Sequence, residues 1–159
     1  MDFALGETQQ AVAAAAGHVL DRSPGDADGR ALWKELGQAG LLGLALPAWL
    51  GGEELGVLDT AVLLTEAGRR AAPVPALATL AMGVLPVTRW GDRHLQQVLL
   101  DGVAAGDTVL TAAVREPSDP MPAAPATTAD ARTVSGVKTG VLYAGAARWI
   151  LVPASFTAL

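Results

Sequence analysis

Apolar residues recur at helical spacing through the N-terminal part of the chain. From Glu7 to Asp21 they fall on one face, which predicts a first helix. The Ser23–Asp26 segment breaks this pattern, and Asp28 is a candidate N-cap for a second helix that ends before Gly40. The inward face of this second helix is predicted to carry three apolar side chains: Leu32, Trp33 and Leu36.

Three further helices are predicted from the same spacing. The first runs from Thr60 to Arg70 and is opened by Asp59, and the second runs from Pro75 to Arg89. The third is capped by Asp92 and stopped by Gly102. A short apolar run that ends at Pro47, followed by a turn at Gly51-Gly52, separates these helices from the first two.

After Gly106 the pattern changes to short segments rich in β-branched and aromatic residues. Strand-like stretches alternate with loops, among them a proline-rich loop from Pro117 to Pro125. The predicted strand segments are Thr108–Arg115, Thr127-Thr128, Thr133-Val134 and Trp149–Val152. Helices followed by strands predict an α+β fold with a helical domain over 1–106 and a partial β-domain over 107–159. Few strands with open edges are marginal alone, so further sequence or a partner is expected to cover them.

Composition narrows the classes of function. A net charge of −5 argues against nucleic acid as a partner. The absence of cysteine excludes thiol chemistry, and His18 and His94 lie too far apart in the sequence to suggest a metal site. Acidic residues precede the first apolar run, unlike a secretory signal, so a cytoplasmic protein is predicted.

The uncharged stretch from Ala71 to Thr88 reaches the lower limit of a transmembrane length. It is interrupted by Pro73, Pro75 and Pro86, which fit the boundaries of a buried helix better. A membrane span is therefore the less favoured interpretation, and no membrane partner is predicted.

Several motifs occur in an order that resembles the acyl-CoA dehydrogenase family. The passage Leu32–Pro47, followed by Leu50-Gly51-Gly52, resembles the family's helix and Gly-Gly turn. The matching later segments are Leu64–Arg69 with Pro73–Pro75, Val114–Pro117 (family "T-E-P"), Val134–Lys138 (family "x-x-G-x-K") and Ala147–Val152. The similarity covers essentially the whole chain. It implies an N-terminal α-helical bundle followed by an incomplete antiparallel β-domain of acyl-CoA dehydrogenase type.

The resemblance also implies a chemistry. Members of the family bind FAD between the β-domain and C-terminal helices, and a carboxylate in the C-terminal half removes the α-proton of an acyl-CoA thioester. No catalytic residue of this kind is expected within the chain, and no metal is implied. By position in the motifs, the residues expected to face the cofactor are Val114, Arg115, Ser118, Val141 and Leu142.

The flavin-facing motifs depart from the family pattern. Arg115 stands where the family has Thr, and three residues are missing before Ser118-Asp119. Gly140 replaces an aromatic residue, and Leu142 replaces a hydroxyl that bonds the flavin, which Leu cannot do. Ser118 and Asp119 contact a ligand or, as the favoured alternative, form a turn. Arg115 is either a phosphate or flavin contact or a solvated strand end.

Similar erosion is known in heterotetrameric family members, including dehydrogenases of steroid side-chain CoA thioesters. The resemblance therefore implies a subunit or fragment of an FAD-dependent acyl-CoA dehydrogenase, with FAD shared with or held by a second dehydrogenase-like chain. The acyl-CoA substrate is steroid side-chain or fatty acyl. The alternative is a non-enzymatic scaffold or binding domain derived from this fold.

Overall fold

The computed structural model describes residues 4–22 and 29–156. Helices occupy the first part of the chain and short strands the second, which confirms the predicted α+β class. The α-helices are α1 (Glu7–Arg22), α2 (Arg30–Gln38), α3 (Val57–Arg69), α4 (Leu85–Trp90) and α5 (Arg93–Leu100). A 3-10 turn spans Ala48–Leu50, and a π-helix spans Leu77–Val84 and runs directly into α4.

The helices surround a core of small and branched aliphatic side chains. α1 packs along α3 and also contacts α2. The predicted inward face of α2 is confirmed, because Leu32, Trp33 and Leu36 are all buried. The Ser23–Asp26 break lies outside the described residues, as does the Asp28 cap. With few aromatic residues available, Leu and Val supply most of the burial that stabilises the bundle.

Two aspartates shape helix starts in different ways. The Asp92 side chain accepts a hydrogen bond from Leu95 N at 2.7 Å, which confirms it as the cap of α5. α3 begins two residues before Asp59, at Val57. Asp59 instead reaches back from the first turn and accepts from Gly56 N at 3.0 Å. Its carboxylate still satisfies a free N–H at the helix start, but as a third-position residue rather than a cap.

The predicted helix from Pro75 to Arg89 is present as a π-helix followed by an α-helix. Leu85 N donates to Leu80 O, five residues back, which is the π pattern. Pro86 has no N–H and its ring crowds the preceding turn, so a wider winding before it relieves the conflict. Among the described residues, no helix combines the length and the apolar character that a membrane crossing requires.

The strands form two small sheets. β1 (Leu110–Ala112) pairs in parallel with β4 (Trp149–Leu151), and β2 (Thr128–Ala129) lies between β3 (Val134–Ser135) and β5 (Ser155–Phe156). β2 and β3 are antiparallel, whereas β2 and β5 are parallel. The expectation of an antiparallel domain is therefore wrong for two of the three pairings. Both parallel pairs are joined by long connections, which parallel strands require.

β1 attaches the strand region to the helices. All three of its residues are buried, and it packs against the π-helix. Gly83 allows this approach, because a Cβ there would lie 2.5 Å from Leu110 Cγ. The π-helix and the first strand thus share one core, and the division into domains at 106/107 stays a prediction.

Candidate functional site

Three of the five residues expected to face a cofactor lie around one recess. Val114 and Arg115 follow directly after β1, and Leu142 comes from the turn before β4. The recess has a volume of about 170 Å³, and its other lining residues are Met82, Ala112, Thr139 and Gly140. Met82 belongs to the π-helix, so the recess lies where the helical part meets the strands.

Arg115 and Gly140 are held side by side by the backbone. Thr139 N donates to Arg115 O at 2.9 Å. A Cβ built on Gly140 would lie 3.6 Å from Arg115 Cδ, so the arginine side chain runs along the glycine. Gly140 has a φ of +60°, in the left-handed region that favours glycine. Within the described residues, Arg115 forms no ion pair.

The segment after Gly140 forms a turn rather than a strand. Ala146 N and Ala147 N both donate to Tyr143 O at 3.0 Å, and Tyr143 itself has a positive φ of 52°. Val141 is half-buried and does not line the recess. Leu142 lines it and is 42% exposed, and Tyr143 is 40% exposed. Of the two candidate residues in this segment, only Leu142 reaches the recess.

Ser118 lies apart from the other candidates, in a tight turn. The backbones of Glu116 and Asp119 bond to each other in both directions, at 2.8 and 3.2 Å. Asp119 Oδ1 accepts from Met121 N at 2.9 Å, the bond of an Asx turn. Ser118 lines a second recess of about 190 Å³, next to Thr127 and Gly136. The contacts of Asp119 agree with its interpretation as a turn residue.

A buried ion pair links two motifs that the sequence alone leaves unconnected. Lys138 Nζ lies 2.8 Å from Glu116 Oε1, and the two side chains are 8% and 4% exposed. Glu116 also accepts from Thr127 N, Thr127 Oγ1 and Ala126 N at 2.8–3.0 Å. Its bond to Lys138, followed by the backbone bonds, lowers the pKa of Glu116 from 4.5 to about 2. Both residues belong to motifs of the family resemblance. They lie 22 positions apart in the sequence, however, so no local pattern predicts their contact.

A larger cavity than either recess lies beside the helix that ends in Trp90. It has a volume of about 700 Å³ and opens between the start of α3 and the π-helix–α4 segment. Its lining is mainly aliphatic, and its polar members are Glu54, Thr88 and Arg89. The apolar residues include Ala45, Pro47, Leu55, Val57, Leu85 and Pro86. An apolar cavity with few polar groups is typical of sites for small apolar ligands.

Three carboxylates of the helical part are engaged in contacts or lie at the surface. Glu66 is buried and pairs with Arg69 and Arg70 at 2.8 and 2.6 Å. Glu54 accepts from Ala48 N at 3.3 Å, and Glu53 is exposed. Glu66 has a structural role, because it holds Arg70, which in turn donates to Asp21 of α1.

At two positions the recess lacks the hydroxyl groups that the resemblance implies, although Thr139 adds a hydroxyl to the lining elsewhere. In place of two hydroxyl groups it has the guanidinium of Arg115 and the aliphatic side chain of Leu142. Gly140 supplies no aromatic side chain to cover a ring. A guanidinium donates hydrogen bonds but carries a full positive charge, and Leu donates none. The residues at these positions do not fit an isoalloxazine ring bound in the family manner.

Comparison with protein families identifies the helical part. Residues 7–107 match the model of the acyl-CoA dehydrogenase N-terminal domain. Among curated proteins, acyl-CoA dehydrogenase FadE28 from Mycobacterium tuberculosis is 42% identical over 154 residues, which is 97% of this chain and 43% of FadE28. The chain thus spans less than half the length of this relative.

Two solved structures extend the likeness to the strand region. A variant of the Tcur3481-Tcur3483 steroid ACAD is 34% identical, with a TM-score of 0.82, and the match covers 96% of this chain and 46% of that one. The ChsE4-ChsE5 complex from Mycobacterium tuberculosis is 28% identical, also with a TM-score of 0.82, over 98% and 46% of the two chains. Both names denote assemblies of two components.

Proposed function

Because the chain belongs to the acyl-CoA dehydrogenase family, we propose that it acts as a non-catalytic part of an FAD-dependent acyl-CoA dehydrogenase. In this role it pairs with a second dehydrogenase-like chain that holds FAD and the catalytic base. The reaction is the α,β-desaturation of an acyl-CoA thioester, with a steroid side-chain or fatty acyl group. The observation that carries the proposal is the changed recess at Arg115, Gly140 and Leu142 within an otherwise family-like fold.

The likeness to the ChsE4-ChsE5 complex and to the Tcur3481-Tcur3483 steroid ACAD supports a partner chain. A heterotetramer is the arrangement that we propose. Several apolar side chains remain exposed on the helices and are available for such contacts, among them Val57, Leu58 and Trp90. A cytoplasmic location and a domain division at 106/107 are part of the same proposal.

The segment Leu77–Trp90 is the part of the chain that we assign to the acyl pocket. One of its residues, Met82, lines the recess, and others, including Ala81, Leu85 and Pro86, line the cavity of about 700 Å³. An apolar wall of this kind binds an acyl chain by removing its surface from water. Its role is to orient the substrate and to exclude solvent, while proton removal takes place on groups of the partner chain.

A scaffold without chemistry is the second candidate function. The observation that favours it is the engagement of Glu66 and Glu116 in internal ion pairs, which leaves neither of these buried carboxylates available as a base. In this case the chain would retain the fold and the partner surface but neither flavin nor acyl-CoA would bind to the assembly.

Co-expression with a dehydrogenase-like chain encoded beside this one tests the proposal. We expect a stable complex in size-exclusion chromatography with flavin absorbance near 450 nm, about the usual oxidised-flavin maximum, and a colourless chain when it is purified alone. A colourless complex would favour the scaffold. Failure of the two chains to associate would contradict the partner role.

A further inference from the structure

The side chain of Arg115 lies alongside the place where a side chain at position 140 would begin. Measured from a Cβ built on Gly140, Arg115 Cδ lies at 3.6 Å and Nε and Nη1 both lie at 3.9 Å. These are ordinary van der Waals distances, so the arginine is in contact with the glycine along its length. The bond from Thr139 N to Arg115 O fixes the two segments in this relation.

Arginine at position 115 and glycine at position 140 fit together, and exchanging either residue alone would disturb their contact. A bulky side chain at position 140 would have to share its space with Arg115, and it would have to adopt a φ of +60°, which costs free energy for any residue but glycine. Glycine at position 140 therefore lets Arg115 lie against the backbone with no neighbouring side chain beyond it. At this point the recess is lined by the side chain of Arg115 and by Gly140.

A planar, largely apolar ring would meet this guanidinium at the recess. The side chains of Met82, Val114 and Leu142 around it are apolar, and that of Thr139 is neutral, so none of them gives the charge a counter-ion. A ring that displaced solvent from Arg115 would have to desolvate a charged group without pairing it. Both the position of this side chain and the cost of desolvating it act against a bound flavin.

We propose that Arg115 is the residue that excludes an isoalloxazine ring from the recess of this chain. The consequence that flavin is held only by a partner chain rests on the function proposed above. The exclusion itself is a property of this chain and is tested on it alone.

The probe is FMN, which carries the isoalloxazine ring and one phosphate. The full chain is titrated into FMN, and binding is followed by flavin fluorescence and by the circular dichroism induced in the flavin bands. Wild type is compared with Arg115→Thr and Arg115→Ala. The control is Arg132→Thr, the same exchange at an exposed arginine that lines neither recess. Thermal melting verifies that each variant is folded.

We expect wild type and Arg132→Thr not to approach saturation in the titration, so that the highest FMN concentration sets a lower limit on their Kd. Arg115→Thr and Arg115→Ala are expected to bind FMN at least about tenfold more tightly than wild type, a gain of about 1.4 kcal/mol. The alanine variant keeps the test valid if the threonine variant does not fold. Saturable binding to wild type that is not strengthened by either exchange would overturn the proposal, and so would variants that remain as weak as wild type.

The variant Leu142→Thr distinguishes the effect of position 142 on FMN binding from that of position 115. It returns a hydroxyl to the recess but leaves Arg115 in place, so no gain in FMN binding is expected. A gain equal to that of Arg115→Thr would assign the exclusion to Leu142 and overturn the role of Arg115. Association with a partner chain is measured by size and does not depend on flavin, so failure of the partner proposal remains distinguishable from failure of this one.

Discussion

Lys138 Nζ donates to Glu116 Oε1 at 2.8 Å, and both side chains are more than nine-tenths buried. The pair connects the segment after β1 with the segment that follows β3. Three further donors, from Ala126 and Thr127, complete the coordination of the carboxylate. The proline-rich loop and the strands β2 and β3 are therefore tied together by a buried ion pair. Removing either partner should disturb the whole strand region.

Lys138→Met should lower Tm by on the order of 10 °C, because it leaves the buried Glu116 carboxylate without its counter-charge. Thermal melting followed by circular dichroism measures the change. Lys34→Met is the matched control, since Lys34 pairs with Asp107 at the surface and should contribute little. The double variant Glu116→Gln/Lys138→Met should recover part of the loss. Equal effects of the Lys34 and Lys138 exchanges would contradict the role assigned to burial.

The depressed pKa of Glu116 predicts a specific dependence of stability on pH. A carboxyl group whose folded-state pKa is lowered stabilises the fold above its unfolded pKa, and the contribution is lost as the pH falls toward the folded value. For Glu116 this window runs from 4.5 down to about 2. The stability advantage of wild type over Glu116→Gln should shrink across that window.

Urea unfolding at a series of pH values measures this advantage as a difference in midpoint. Asp107→Asn serves as the control, because Asp107 is exposed and pairs only at the surface. Its difference from wild type should change much less over the same range. A wild-type advantage over Glu116→Gln that stays constant from pH 5 to pH 2, roughly the titration range of a carboxyl group, would contradict the prediction.

Local patterns in the sequence predict where the helices lie, but not whether a helix winds as an α-helix or a π-helix. The apolar spacing predicts α1, the buried face of α2 and the Asp92 cap, since each depends on residues within a few positions. The π-helix depends on how Pro86 and the approach of β1 are accommodated together. A pattern of apolar residues cannot distinguish a π-helix from an α-helix, because both bury one face.

Contacts between distant segments cannot be predicted from local patterns in the sequence either. The motif positions of Arg115 and Leu142 predict that they share a site, and the structure brings them to one recess. The contact of Arg115 with Gly140 and the pair of Glu116 with Lys138 depend on how the strands align. The expected antiparallel direction is also wrong for β1 with β4 and for β2 with β5, because the sequence of a short strand says little about its partner.

Gly83→Ala should destabilise the protein by about 1–3 kcal/mol. The added methyl group would lie 2.5 Å from Leu110 Cγ, so β1 or the π-helix would have to move. Gly68→Ala is the matched control on α3, where a Cβ would have no neighbour within 4 Å. That exchange should stabilise by roughly 0.5–1 kcal/mol through helix propensity. Urea unfolding compares the two, and a Gly83→Ala variant as stable as wild type would contradict the close packing.

Arg70→Lys should loosen the attachment of α1 to α3. The guanidinium donates to both oxygens of Asp21, at 2.6 and 3.0 Å, and to Glu66 at 2.6 Å, and these bonds raise the pKa of Arg70 above its usual value. Lysine carries the same charge but cannot form this planar fork, so Tm should fall by about 3 °C. Hydrogen exchange should also become faster in the last turn of α1. Arg69→Lys is the control, because Arg69 is mostly exposed and has a single ion pair, with Glu66. If both exchanges had the same effect on Tm and on exchange in α1, charge alone would account for the contact and the fork geometry would be irrelevant.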